Sequence, residues 1–209
     1  MPQPVGFESM DRSERGLVEL PAGESLTIGT RGGAKTIVRT AAGYAVDMGP
    51  WEFIFPGEAT ARAMDSLVSA AGLEVARPAL SVSMGNPHTV VALAELAELQ
   101  ATQLFTAPHV DPTPPHGTNV EFVVPSEPLV HEGVGTITMR VHERGVGETQ
   151  SCGTGACAAA VAGKLQDLLD SPVTVNLPGG SLEIQWQGEG QPVIMTGNAT
   201  TVFHGRIRI

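Results

Sequence analysis

A chain of 209 residues that is 42% hydrophobic is long enough to bury a substantial core, as one large domain or two small ones. Its formal charge of −10 at pH 7, with no basic stripe to offset it, argues against a nucleic-acid partner. The longest apolar runs, about seven residues, fall far short of the roughly twenty that span a bilayer, and no basic-then-apolar leader opens the chain, so a soluble cytoplasmic protein is expected.

In chain order, Ser25–Thr30 and Lys35–Thr40 read as strands flanking the hairpin signal Arg31-Gly-Gly-Ala34, with a third strand over Gly43–Met48 stopped by Gly49-Pro50. Residues 58–71 set Ala63, Met64, Leu67, Val68 and Ala71 at helical spacing, with Gly72 as the stop. Val82–Val91 reads as a strand interrupted at Gly85-Asn86-Pro87-His88, and Ala94–Leu104 as a short helix. His109–Gly117 carries three prolines and a terminal glycine, which bar regular structure. Strands are expected over Asn119–Val124 and Gly135–His142, then a helix from about Gly155 to Leu169 that is apolar nearly all round at its start and therefore buried. Short strands over Val173–Leu177, Ser181–Gln187, Val193–Thr196, Thr201–His204 and Arg206–Ile209 complete the chain. One buried helix among many short strands is an α+β, barrel-like pattern and not a βαβ array.

The most informative stretch is Ser151-Cys-Gly-Thr-Gly-Ala-Cys157, at the mouth of that helix. First-turn N–H groups have no partner within a helix and carry partial positive charge. They lower the pKa of a nearby thiol and can hold a carboxylate. A buried cysteine beside a flexible turn is the plain alternative for Cys152, but it leaves the two glycines, Thr154 and the polar approach Glu143–Gln150 unexplained. Cys157 lies about 140° further round the helix and reads as a small core residue. Two cysteines so placed are poor disulfide partners and suit a reducing compartment.

Other candidates are weaker alone. Asn86 before proline cannot easily be helical, so it is turned outward for hydrogen bonding, although a bulge or turn would serve as well. Asn119 by itself reads first as a turn cap. Glu143 and Arg144 would ordinarily be solvated surface, yet they stand before the same helix mouth, where arginine can grip a carboxylate and glutamate an ammonium. His109, His116, His131, His142 and His204 have no metal-like spacing and read as surface or loop residues; the cysteines match no zinc pattern, so no metal is expected. Gly153-Thr-Gly-Ala-Cys-Ala158 matches the loose dinucleotide fingerprint, but the preceding strand ends near Arg144 and no parallel partner is expected to follow.

Four segments together resemble the diaminopimelate epimerase family: Met84-Gly-Asn-Pro-His88, Thr118-Asn-Val-Glu-Phe122, Glu143–Cys157, and Leu177-Pro-Gly-Gly-Ser-Leu182 with Met195-Thr-Gly197. Their order and spacing agree with the family from about Arg15 to Ile209. The resemblance implies an epimerase-like α+β fold, a mixed or antiparallel barrel-like sheet wrapped around a central helix. It implies a cofactor-free isomerase of lysine and peptidoglycan precursor biosynthesis, interconverting LL- and meso-diaminopimelate with two thiols. It implies Cys152 as one of these thiols, His88 and Glu143 as catalytic helpers, and Asn86, Asn119, Glu143, Arg144, Gly153 and Thr154 as substrate contacts.

The family's other cysteine belongs to a Cys-Gly-Asn-Gly segment that this sequence does not contain. The resemblance therefore implies residues 1–75 as the remnant of a first domain, 76–202 as the complete catalytic domain, and 203–209 as a strand returning to the first. Residues 1–14 have no counterpart, and edges left open by missing strands can drive association into a homodimer. Negligible epimerisation by this chain alone is expected. Three rivals remain: a non-catalytic amino-acid-binding module, a cysteine hydrolase using Cys152 with His88, and a related proline or hydroxyproline racemase.

Overall fold

The computed structural model describes residues 20–30, 33–41 and 43–200. The expected strands Thr201–His204 and Arg206–Ile209, and the turn residues 31–32, lie outside them. The chain forms two compact units, one drawn from the described residues up to Asp47 together with those from Thr196 on, the other from Met48–Met195.

The first unit is built on an antiparallel meander of β1 (Ser25–Thr30), β2 (Gly33–Thr40) and β3 (Gly43–Asp47). Thr30 stands opposite Gly33, the register the hairpin signal calls for. Leu20, Ile28, Ile37 and Tyr44 make its small core.

The second unit begins with β4 (Glu52–Phe53), α1 (Pro56–Arg62) and β5 (Ser66–Ser69). The helix expected over 58–71 is thus half helix and half strand. Ala63 takes a left-handed φ of 52° that ends α1, and Ser66–Ser69 alternate buried and exposed against the next strand. A period of two wins over a period of 3.6 because the edge of the sheet is there to pair with. Gly72 is not a helix stop: a Cβ there would lie 2.0 Å from Ala101 O, so only glycine allows this close approach.

Next come β6 (Arg77–Ser83) and β7 (Pro87–Ala92), two strands of a hairpin where one interrupted strand was expected; Ser83 faces Pro87 across the turn. Then follow α2 (Leu96–Ala101), β8 (His109–Asp111), β9 (Asn119–His131), β10 (Val134–Glu143) and β11 (Gly147–Thr149). The start of the proline-rich loop is therefore a short strand, paired with β5. The chain continues through α3 (Gly153–Leu165), β12 (Val173–Leu177), β13 (Gly180–Gln185) and β14 (Ile194–Gly197). Helix α3 starts two residues earlier than expected and stops four sooner, ahead of Asp167, whose φ of 57° is incompatible with a helix.

The strands within this unit follow the order β13-β12-β10-β9-β7-β6-β5-β8, with β11 on β10 and β4 on β6. It is a mixed sheet that does not close on itself. The pairs β7/β9 and β10/β12 are parallel, which overturns the expectation that no parallel partner follows the glycine-rich segment. The dinucleotide fingerprint still fails, since β10 ends nine residues before α3 begins and β11 intervenes, in place of the tight strand-to-helix turn it needs.

Helix α3 packs on β6, β7, β9, β12 and β13, and every residue from Gly155 to Gly163 is buried. An alanine- and glycine-rich helix can be enclosed this completely because its short side chains let the strands come close. Val90, Val123, Ile137 and Met139 line the sheet face that meets α3. Val91, Val120, Phe122 and Val124 fill the opposite face with Leu99 and Leu104. Alternation along β7 and β9 puts His88, Asn119 and Glu121 on the α3 side. Among the described residues no helix is long and apolar enough to cross a membrane.

Candidate active site

Cys152 is the N-cap of α3, with an extended φ of −137° and ψ of 107°, and it is 8% exposed. Two donors reach its sulfur: the Gly155 N–H, and the Thr154 hydroxyl with Oγ1 3.7 Å away. The helix mouth was expected to lower the thiol pKa. It is instead pushed up to about 11, first by burial, then by the negative charge of Glu121, with Glu143 adding a smaller push. The two donors oppose this but do not overcome it, because desolvation penalises the thiolate more than they stabilise it.

From Thr154 a hydrogen-bonded chain leads away from the sulfur. Asn86 Nδ2 donates to Thr154 Oγ1 at 3.3 Å, and Asn86 Oδ1 lies 3.1 Å from His88 Nε2. His88 Nδ1 in turn lies 2.7 Å from Glu121 Oε1. His88 and Glu121 are both 0% exposed. A carboxylate on Nδ1 holds a proton there and fixes the ring plane. The β6–β7 hairpin turn supplies Asn86 and β7 supplies His88; β9 supplies Glu121, and all meet the first turn of α3.

A second group forms at the ends of β9 and β10. Asn119 Nδ2 donates to Pro87 O at 3.1 Å, and the Arg144 backbone N–H donates to Asn119 Oδ1 at 2.9 Å. Asn119 thus uses its amide to tie the start of β7 to the end of β10. The Arg144 guanidinium donates to His116 O and, with Asn86, Ser83 and Ile54, lines a pocket of about 450 Å³. Glu143 Oε1 accepts from Thr149 Oγ1 at 2.5 Å. Gly153 opens α3 against Met195, whose sulfur would lie 3.0 Å from an added Cβ. The structure therefore brings Asn86, His88, Cys152 and Thr154 into one chain, and Asn119 and Arg144 into another.

One residue was missed. Glu121 was passed over as part of a strand segment, although an acid inside Val120-Glu-Phe-Val-Val124 is the signal that would have found it. His142 was also misread: it is buried near the end of β10, where the alternation of buried positions breaks, with Nδ1 donating to Leu104 O at 2.9 Å. Cys157 is fully buried in the core, as expected.

Among the described residues, ligand-type atoms of His88, Glu121 and Cys152 lie within 4.8 Å of one another. They are the residues best placed to hold a cation, but their geometry is that of a hydrogen-bonded pair beside a thiol. The 2.7 Å between Nδ1 and Oε1 is shorter than the roughly 3.3 Å that separates two ligands on one tetrahedral zinc. The helix N-terminus adds positive charge that would repel a dication.

Comparison with known proteins places the chain in a family. Residues 80–202 match the family model described as diaminopimelate epimerase. The chain is 41% identical over 192 residues to a diaminopimelate epimerase of Pseudomonas aeruginosa, covering 89% of this chain and 66% of the relative. A diaminopimelate epimerase of Thioalkalivibrio sulfidiphilus is 42% identical over 170 residues, which cover 78% of this chain and 58% of the relative. The chain thus spans just under two thirds of the length of such relatives. Among solved structures, a hydroxyproline epimerase of Agrobacterium vitis superposes with a TM-score of 0.61 at 14% identity, over 92% of this chain and 62% of the other. A predicted epimerase of Pseudomonas aeruginosa superposes with a TM-score of 0.56 at 17% identity, over 95% of this chain and 73% of the other. With the matched segment running through Asn86, His88, Asn119, Glu143 and Cys152, the chain belongs to the diaminopimelate epimerase family.

Proposed function

We propose that this chain carries one half of the acid–base machinery of a diaminopimelate epimerase, an isomerase that inverts the α-carbon of a free amino acid. The observation that supports it most is the buried thiol of Cys152, which meets the Gly155 N–H and the Thr154 hydroxyl at the start of α3. Inverting a carbon requires one group to remove a proton from one face and another to return one from the opposite face. The α-hydrogen of an amino acid is only weakly acidic, so the site must be dry and its donors pre-aimed. Cys152 serves as the acid–base group on one face, helped by His88 and Glu143. First-turn N–H groups and the side chains of Asn86, Asn119, Arg144 and Thr154 receive the substrate's carboxylate and ammonium groups. Cys157 cannot serve the opposite face, because it lies in the core on the same helix as Cys152. The second group comes from outside the two cysteines of this sequence.

In this reading residues 76–202 are the catalytic domain and 1–75 the remnant of its companion. The protein works in the cytoplasm on a small amino acid, and two copies associate as a homodimer. The test is proton NMR of diaminopimelate in D2O with the 209-residue chain. Binding by Cys152-containing protein with negligible LL-to-meso conversion is expected. Turnover that disappears in Cys152→Ala would show that this chain is complete in itself, and failure to bind diaminopimelate would remove the assignment.

A further inference from the structure

Glu121 is a buried acid of which the acid–base reading uses one carboxylate oxygen, to orient His88. Its Oε1 takes His88 Nδ1 at 2.7 Å, while Oε2 is buried with no hydrogen-bond partner. A carboxylate oxygen held dry and unpaired is unfavourable, so its presence calls for a role. The nearest chemistry is the thiol. A Cβ added to Gly155 would lie 2.6 Å from Glu121 Oε1 and 3.2 Å from Cys152 Sγ, so carboxylate and sulfur both crowd the space beside one bare α-carbon, within 4.8 Å of each other.

We propose that Glu121 is a positioning residue for the epimerisation described above: its carboxylate, acting together with the burial of the sulfur, keeps Cys152 protonated at rest, so that this thiol enters the cycle as the proton donor. The opposite acid–base group, a second thiolate, takes the α-proton and leaves an electron pair on the carbon. That pair takes the proton of Cys152, so the S–H bond breaks as the new C–H bond forms. Cys152 is left as a thiolate beside a carboxylate. Their repulsion favours recovery of a proton from water, while the opposite thiol returns its proton to water and the site is reset. The ionisable groups facing the sulfur are Glu121 from β9, Glu143 from the end of β10 and His88 from β7. His88 engages Oε1 alone, which leaves Oε2 with no donor to offset its charge. After burial itself, Glu121 is the largest cause holding the thiol near 11, ahead of Glu143.

The test is the pH dependence of iodoacetamide labelling at Cys152 in the full chain, with the labelled thiol assigned by fragment mass spectrometry. Glu121→Gln is expected to label about tenfold faster at neutral pH, equivalent to a midpoint about one unit lower. Glu121→Asp, which restores the charge, is expected to return labelling to within about threefold of the parent, which a merely structural role would not produce. Labelling of Glu121→Gln at the parent rate or slower overturns the proposal. If that variant unfolds and exposes Cys157 as well, the parent profile decides: a Cys152 midpoint at or below the ordinary thiol value leaves nothing for Glu121 to suppress and overturns it. No substrate is present in this experiment. A failure here therefore leaves diaminopimelate binding untouched, and a failure of binding leaves the labelling result standing.

Discussion

At the sulfur of Cys152 two donors and a carboxylate compete, and Gly155 is where they meet. Its missing Cβ leaves room for both Glu121 Oε1 and Cys152 Sγ. Alanine would normally favour a helix by up to about 1 kcal/mol, but here its methyl group has no room. Gly155→Ala is expected to destabilise the protein by about 1–3 kcal/mol through overpacking, read as a lower midpoint in urea. A Gly155→Ala chain as stable as the parent would mean that Glu121 moves aside freely. The residues of the candidate site were mostly legible one by one: Asn86 before its proline, His88 after it, Cys152 among its glycines. Glu121 was not, and neither was the direction of the thiol's shift. Both depend on what β9 sets opposite α3, which no local spacing encodes.

Among the elements, the helix-to-strand connections show how polar groups are settled inside the fold. Arg140 on β10 donates to Leu99 O at 2.6 Å and to Thr102 O at 2.9 Å, and pairs with both carboxylate oxygens of Glu148 at 2.8 and 3.0 Å. One guanidinium thus satisfies carbonyls at the C-terminal end of α2, where no intrahelical donor is available, and pins β11 to its neighbour. Arg140→Met is expected to cost about 1.5–3 kcal/mol in urea unfolding, because it strands those carbonyls together with Glu148. A loss within a few tenths would show that water replaces the guanidinium.

Asp65, just before β5, accepts the Ser81 N–H with both carboxylate oxygens at 3.0 Å and the Ser66 hydroxyl at 2.7 Å. Burial nevertheless raises its pKa above the ordinary value, since desolvation outweighs these bonds. A raised folded pKa means that the favourable contribution is present below the unfolded pKa and lost as pH rises through the folded one. Asp65→Asn is therefore expected to be more stable than the parent at neutral pH, with the advantage disappearing in acid. Thermal unfolding of both proteins across pH checks this, and a parallel pair of curves would contradict it. Element types were readable wherever one face met one core, as in the alternation of β10. They were misread over 58–71, where alanines fit either period and the pairing edge of β6 decided the outcome.

For the molecule as a whole, the sequence determined the composition of the site and the family. The glycine-rich mouth of an apolar helix, an Asn-Pro-His turn and a Glu-Arg pair are local chemistry, fixed by residue type and spacing. The enclosed helix among short strands was determined in the same way, because an all-apolar alanine-rich segment has nowhere to go but inside. The tertiary structure alone decided the parallel pairing of β7 with β9 and β10 with β12, the burial of His142, and the meeting of Glu121, His88 and Cys152. Glu121 and Cys152 are far apart in sequence, and they come within 4.8 Å only because β9 packs against α3. The raised pKa of the thiol starts from that enclosure, with burial of the sulfur as its largest cause and the charge of Glu121 as the next.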